Sequence, residues 1–114
     1  MPIVNASKDT VLAESYNEAR TWKEQFLGLM FKEVSPLIFT FNKEQHVDLH
    51  SWFCKSAIDL VFLNDEWEVV EIFREWSPWK TYRSKNRALF LLELPAGTVF
   101  KSRTEVGDTL QLLK

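Results

Sequence analysis

The sequence predicts an α+β fold: a compact, barrel-like single domain of mainly antiparallel strands, with one helix in its first half and a short helix towards the C-terminus. Three observations carry this prediction. Most apolar runs are short, rich in β-branched and aromatic residues, and bounded by turn residues. Apolar residues recur at clear helical spacing only once. The 114 residues have room for one domain (1–114), and no repeat, low-complexity tract or linker divides them.

The elements follow in order. Residues 10–14 alternate weakly and read as a strand. A polar stretch then opens a helix, capped by Ser15 or Asn17, with Glu18 in the first turn complementing the helix dipole. Ala19, Trp22 and Phe26 form one apolar stripe over 18–26, and Gly28 is the expected stop. Pro36 precedes Leu-Ile-Phe-Thr-Phe, a strand, and 42–45 reads as a polar turn. Residues 49–54 and 58–63 are strands, followed by a turn at Asn64, Asp65 and Glu66 and a strand over 68–76. Alternation in that last strand turns Val70, Ile72 and Arg74 one way and Val69, Glu71, Phe73 and Glu75 the other. Phe62-Leu63 and Val69-Val70 flank a short turn and predict a hairpin. Ser77-Pro78 break regular structure, and 79–87 reads as a long basic and aromatic loop. A strongly apolar strand over 88–94 ends in the turn Pro95-Ala96-Gly97. Residues 98–105 form a short helix closed by Gly107, and 109–113 form the last strand.

Composition excludes several classes. With 46% hydrophobic and 26% charged residues the chain is not disordered, collagenous, a coiled coil or a disulfide scaffold. The formal net charge of -2 predicts no strong nonspecific pull towards nucleic acid or anionic membrane. The lone Cys54 excludes an internal disulfide and fits a reducing compartment. The N-terminus carries no signal-peptide pattern, and the apolar runs are too short to span a bilayer, so a cytoplasmic protein is expected. Nine Phe, five Trp and two Tyr supply a dense core from few residues.

Five motifs occur in order: Gly28-Leu29-Met30-Phe31, Pro36-Leu37-Ile38-Phe39, Ile58-Asp59-Leu60-Val61-Phe62-Leu63, Leu92-Glu93-Leu94-Pro95-Ala96-Gly97 and Gly107-Asp108. Together, over about 10–113, they resemble domain of unknown function 192, also called uncharacterised protein family 0127. The resemblance implies a compact β-rich fold with a small helical part, and no activity. The chain departs from the family at three places. Leu27 stands where the family usually has Arg, Trp67 where a hairpin glycine is usual, and Cys54 where related chains often carry Met. A Trp held at positive φ would be strained, so the turn at Trp67 is expected to be of another type.

Candidate site residues follow from chemistry. Asp59 lies among apolar neighbours, so its carboxylate must find donors. It either accepts backbone N–H groups or forms the polar floor of a pocket. Glu93 follows the same logic, turned by strand geometry to the face opposite Leu92 and Leu94. If their strands are neighbours, the two carboxyls could share a site. His46, His50 and Cys54 are metal-ligand types, and strand alternation would project His50, Trp52 and Cys54 together. No CxxC or HExxH spacing supports a metal, and a half-buried strand is the plainer account. Over 76–87, Trp76, Trp79 and Tyr82 interleave with Lys80, Arg83, Lys85 and Arg87, a pattern that can hold single-stranded nucleic acid. The acidic remainder argues against nucleic acid as the main partner. No glycine-rich phosphate loop or serine elbow is present, and no cofactor is implied.

The leading expectation is a non-catalytic binding module for a small molecule or peptide, using His50, Trp52, Cys54, Asp59, Trp79 and Glu93. The alternatives are a thiol- or metal-dependent enzyme using Cys54 and His50, and a nucleic-acid-binding accessory protein using the basic loop.

Overall fold

The computed structural model describes residues 1–113, apart from the side chain of Trp22. The elements run β1 (Ile3–Asn5), β2 (Thr10–Ala13), β3 (Asn17–Ala19), α1 (Trp22–Leu27), β4 (Leu37–Gln45), β5 (Asp48–His50), β6 (Ile58–Leu63), β7 (Val69–Trp76), β8 (Thr81–Arg83), β9 (Ala88–Pro95), α2 (Thr98–Ser102) and β10 (Leu110–Leu112). They form a five-stranded sheet ordered β3-β4-β9-β6-β7, a three-stranded sheet ordered β10-β1-β2, and the two-stranded ribbon β5-β8. All pairings are antiparallel except β3 with β4. The α+β, β-rich class is as the sequence predicts, without closure into a barrel among the described residues.

The five-stranded sheet is buried on both faces. On one face Val61, Leu63, Leu92 and Leu94 meet Ile3, Leu12 and Leu110 of the small sheet and Val99 of α2. On the other, Leu60, Phe62, Leu91 and Phe39 meet Leu29 and Val47, with Leu49 and Tyr82 of the ribbon packed beside them. This accounts for the unbroken apolar run of β6: a strand covered on both sides needs no polar face.

Several expectations are corrected. Residues 17–19 are strand β3, and α1 begins later, at Trp22, because Thr21 and Glu24 form a capping box. The Thr21 hydroxyl accepts from the Glu24 N–H, and the Glu24 carboxylate accepts from the Thr21 and Arg20 N–H groups. Gly28 does end the helix, as expected. The Trp22 member of the expected apolar stripe lies outside the described side chains. Residues 42–45 continue β4, whose register on β9 jumps between Thr40 and Gln45, so the strand bulges there. Residues 51–54 are a turn and not strand, α2 ends at Ser102, and the N-terminal β1 adds a strand the sequence did not announce. In β7 the alternation breaks at Val70. Phe62 pairs with Glu71 but Leu63 pairs with Val69. Val69 and Ile72 therefore pack in one core, and Val70 and Phe73 in the other.

The turn at Trp67 is also a correction. Trp67 does take positive φ, at 60°. Its N–H donates to the Asn64 carbonyl at 3.1 Å, and its ring lies 4.8 Å from that of Phe90, against the core. The left-handed backbone costs about 1–2 kcal/mol, and the packed indole offsets it.

Candidate functional site

Asp59 and Glu93 are on neighbouring strands, as anticipated, but the register separates them. Asp59 sits opposite Leu94, and Glu93 sits opposite Leu60. Side chains alternate along a strand, so this single-residue offset sends the two carboxyls to opposite faces of the sheet. The shared site the sequence allowed does not exist.

Asp59 is fully buried and accepts three backbone N–H groups. Its Oδ1 accepts from Glu75 at 2.9 Å; its Oδ2 accepts from Gly97 at 3.1 Å and Val99 at 2.9 Å. Glu75 lies in the second register break of β7, at φ 55°, where its N–H has lost its ladder partner. Gly97 and Val99 open α2, which has no side-chain cap of its own. Asp59 thus ties a strand bulge to a helix start.

Glu93 is different. It is 4% exposed and lies at the floor of a cavity of about 280 Å³. The end of α1, the bulged part of β4 and the strand β5 enclose this cavity, with Gln25, Phe26, Gly28, Phe41, Leu49 and His50 in its walls. Among the described residues, no group hydrogen-bonds the Glu93 carboxyl. Burial alone pushes its pKa up to about 8. Gly28 ends the helix beside it, and the backbone there, not lack of space, is what favours glycine. At φ 47°, a Cβ there would lie 3.5 Å from Glu93 Oε1 and 3.4 Å from the Phe39 ring.

The rim is ordered by hydrogen bonds. His50 Nε2 donates to the Phe26 carbonyl at 2.7 Å, and its Nδ1 lies 3.3 Å from the Trp52 N–H. The His50 ring also lies 4.9 Å from Phe26 and 4.8 Å from Trp52. Gln25 is held by its Nε2, which donates to the Thr40 carbonyl at 2.8 Å. His46 Nδ1 donates to the Ser84 carbonyl at 3.1 Å.

Of the expected site residues, His50 and Glu93 line this cavity, whereas Trp52, Cys54, Asp59 and Trp79 do not. Because β5 ends at His50, alternation cannot carry Trp52 and Cys54 onto its face. The Cys54 thiol is half-buried, and burial followed by the nearby Glu93 charge raises its pKa to about 11. No group of three or more His, Cys, Asp or Glu is placed to hold a metal ion among the described residues. The sequence reading missed Gly28, Gln25, Phe26 and Phe41. Gly28 carried a signal, since it ended the expected helix, but nothing in the sequence placed it over Glu93.

The basic aromatic segment is also resolved into parts. Trp76 is buried, and the Tyr82 hydroxyl donates to Glu71 beneath the ribbon. Arg83 pairs with Asp48 at 2.8 Å. Ser51 anchors the segment, its hydroxyl donating to the Ser77 carbonyl at 2.6 Å and accepting from the Lys80 N–H at 2.9 Å. Trp79 therefore lies against Phe53, which stacks on Phe31 with ring centres 4.6 Å apart. All three rings are exposed, and all three residues have positive φ.

These features define a small β-rich α+β domain with a carboxyl-floored cavity beside its central sheet. Residues 3–112 match the family model of domain of unknown function 192, DUF192, described as "Uncharacterized ACR". The chain is 33% identical over 112 residues to a UPF0127 protein of Pyrococcus furiosus, covering 96% of each. It is 31% identical over 112 residues to a UPF0127 protein of Pyrococcus horikoshii, again covering 96% of each. The chain belongs to the DUF192 (UPF0127) family, and the match begins earlier than the five motifs suggested, because it takes in β1. Two crystal structures share the fold. One, from Sinorhizobium meliloti, is provisionally described as a transcription regulator; it has a TM-score of 0.86 and 21% identity, over 96% of this chain and 89% of that one. The other is a protein of unknown function from Novosphingobium aromaticivorans, with a TM-score of 0.85 and 22% identity, over 98% of this chain and 84% of that one.

Proposed function

We propose that this protein is a non-catalytic binding module for a small molecule, working in the cytoplasm and seating its ligand over Glu93. One observation carries the reading. The Glu93 side chain is nine-tenths buried at the floor of a cavity and has no donor among the described residues; no fully buried side-chain oxygen among them lacks a partner, so its carboxyl opens onto that cavity, where a ligand can reach it. The cavity is a little smaller than the ~300–1,000 Å³ sites that hold drug-sized ligands, which fits a compact ligand. A binding role is favoured over a thiol enzyme by chemistry. A thiol with its pKa raised to about 11 supplies almost no thiolate near neutral pH, and the His50 nitrogens are engaged with backbone. Nucleic acid is disfavoured because Trp76 and Tyr82 face the core, so of that segment's rings only Trp79 is open for stacking on a base.

A screen of small molecules against isotope-labelled protein tests this, read by backbone amide shifts. The expected hits move Gly28, Leu49 and His50 together. Hits that move only Phe31, Phe53 and Trp79, or no hits at any ligand charge, would overturn it.

A further inference from the structure

We propose that the ligand of the Glu93 cavity is a small organic cation, an ammonium or guanidinium group carried on a compact apolar body, with the charged group paired to the Glu93 carboxylate. This rests on the binding reading above and names the ligand class.

Three observations support it. The first is charge. Among the described residues, the cavity walls hold the acids Glu93 and Asp48 and no Lys or Arg. Asp48 already has a partner in Arg83, whereas none of the ion pairs among the described residues involves Glu93. The second is the wall chemistry. Phe26, Phe39 and Phe41 line the same space, and aromatic faces attract cations as well as apolar stems. The polar side chains Gln25 and His50 are tethered by their hydrogen bonds and fix the opening. The third is the contrast with a second groove, of about 550 Å³, on the other side of the central sheet. Arg74 and Arg103 line it, alongside Glu105. An anionic ligand would find its positive charge there and not at Glu93.

The pairing has a definite proton balance. With its pKa near 8, Glu93 is mostly protonated in the empty cavity at neutral pH. A cation binds the carboxylate, so the carboxyl releases its proton to solvent as the ion pair forms. Apparent affinity falls with the ionised fraction, by about tenfold for each pH unit below the pKa. The other titratable groups facing Glu93 are His46, Asp48 and His50 in the cavity walls and Cys54 behind it. A variant at Glu93 separates its titration from theirs.

The experiment is isothermal titration of the native protein with four matched probes: benzylamine, benzyl alcohol, benzamide and benzoate. Each is followed by the amide shifts of Gly28 and His50. Benzylamine is expected to bind best, to tighten by about twentyfold between pH 6.5 and 8.5, and to release protons on binding. Glu93→Gln should weaken it at least tenfold at pH 8.5 and remove the pH dependence. That variant removes a buried charge while keeping its shape, so it folds. Equal binding of benzyl alcohol, or binding of benzamide that tightens as pH falls, would overturn the cation proposal and leave the binding module standing. Benzoate as the best probe would do the same. If no probe of any charge moves Gly28 or His50, both readings fail.

Discussion

Asp59 and Glu93 stand on adjacent strands, buried to nearly the same degree, and the protein treats them oppositely. Asp59 accepts three backbone donors and joins a bulge in β7 to the start of α2. Glu93 accepts none from the described residues; both acids border a cavity, Asp59 one of about 200 Å³, so the difference between them is donors and not open space. Two further buried acids follow the pattern of Asp59. Glu71 accepts from Tyr82, from the Lys85 and Asn86 N–H groups, and from the Asn86 amide. Asp108 accepts from Asn5, from Lys8 and from the Glu105 N–H. Against those three, Glu93 is the exception. A buried carboxyl by itself says nothing about function; one left without donors, beside open space, does.

The comparison can be broken most sharply at Asp59. Asp59→Ala leaves three N–H groups without an acceptor, one buried and two partly buried, the buried one worth about 1–3 kcal/mol and the others less. A loss on the order of 4 kcal/mol is expected in urea unfolding. A loss under 1 kcal/mol would mean that solvent or backbone shifts replace the carboxylate.

Glu93 should behave in the opposite sense. Its pKa rises on folding from the ordinary value of 4.5 to about 8. The folded state therefore holds the proton more tightly. Stability is fully present below about 4.5 and is lost as pH rises through about 8, by up to ~1.4 kcal/mol per unit. Glu93→Gln should flatten this slope and, near pH 8, exceed the native stability by a few kcal/mol. Parallel stability curves for the two proteins between pH 5 and 8.5 would sink the assignment.

Two tryptophans extend the same contrast to the backbone. Trp67 and Trp79 both have positive φ, at 60° and 65°. Trp67 packs on Phe90 and the core, whereas Trp79 is 61% exposed. Trp67→Gly should cost about 1–2 kcal/mol, because lost packing outweighs relieved strain. Trp79→Gly should fall within about 0.5 kcal/mol of the native protein. Thermal melts of the two variants distinguish them, and equal losses would show that Trp79 is held by more than its contact with Phe53.

The smallest effect concerns Cys54. With its pKa raised to about 11, it should react slowly with a disulfide reagent at pH 8 and quickly once unfolded. Because Glu93 contributes to that rise, Glu93→Gln should lower the midpoint of the pH–rate curve slightly. A midpoint below 9 in the native protein would reopen the thiol-enzyme reading.

Much of this was legible in the sequence, and the gaps have a common physical cause. The class, the apolar strands over 58–63 and 88–94, the Gly28 stop and the turn of Glu93 away from Leu92 and Leu94 all follow from local pattern. What local pattern does not hold is register. Whether Asp59 and Glu93 share a face depends on a one-residue offset between strands about thirty positions apart in the chain. The bulges at Val70 and in β4 have the same origin, since each is a mismatch between two strands and not a property of either. The start of α1 was readable, in Thr21-Trp22-Lys23-Glu24, but Glu18 offered a competing first turn. Trp67 broke a sound local rule because tertiary contacts outweighed it.

The small sheet sets a clock on assembly. Its middle strand, β1, precedes every other strand of the domain, and its neighbour β10 follows them all. Until β10 arrives, one edge of β1 stays bare and Asn5 waits for Thr104 and Asp108. β1 and β10 can only pair after nearly all of the domain between them has been made. Until then the Val61, Leu63, Leu92 and Leu94 face of the five-stranded sheet is uncovered as well, so protease attack and strand exchange between incomplete copies should concentrate at this end.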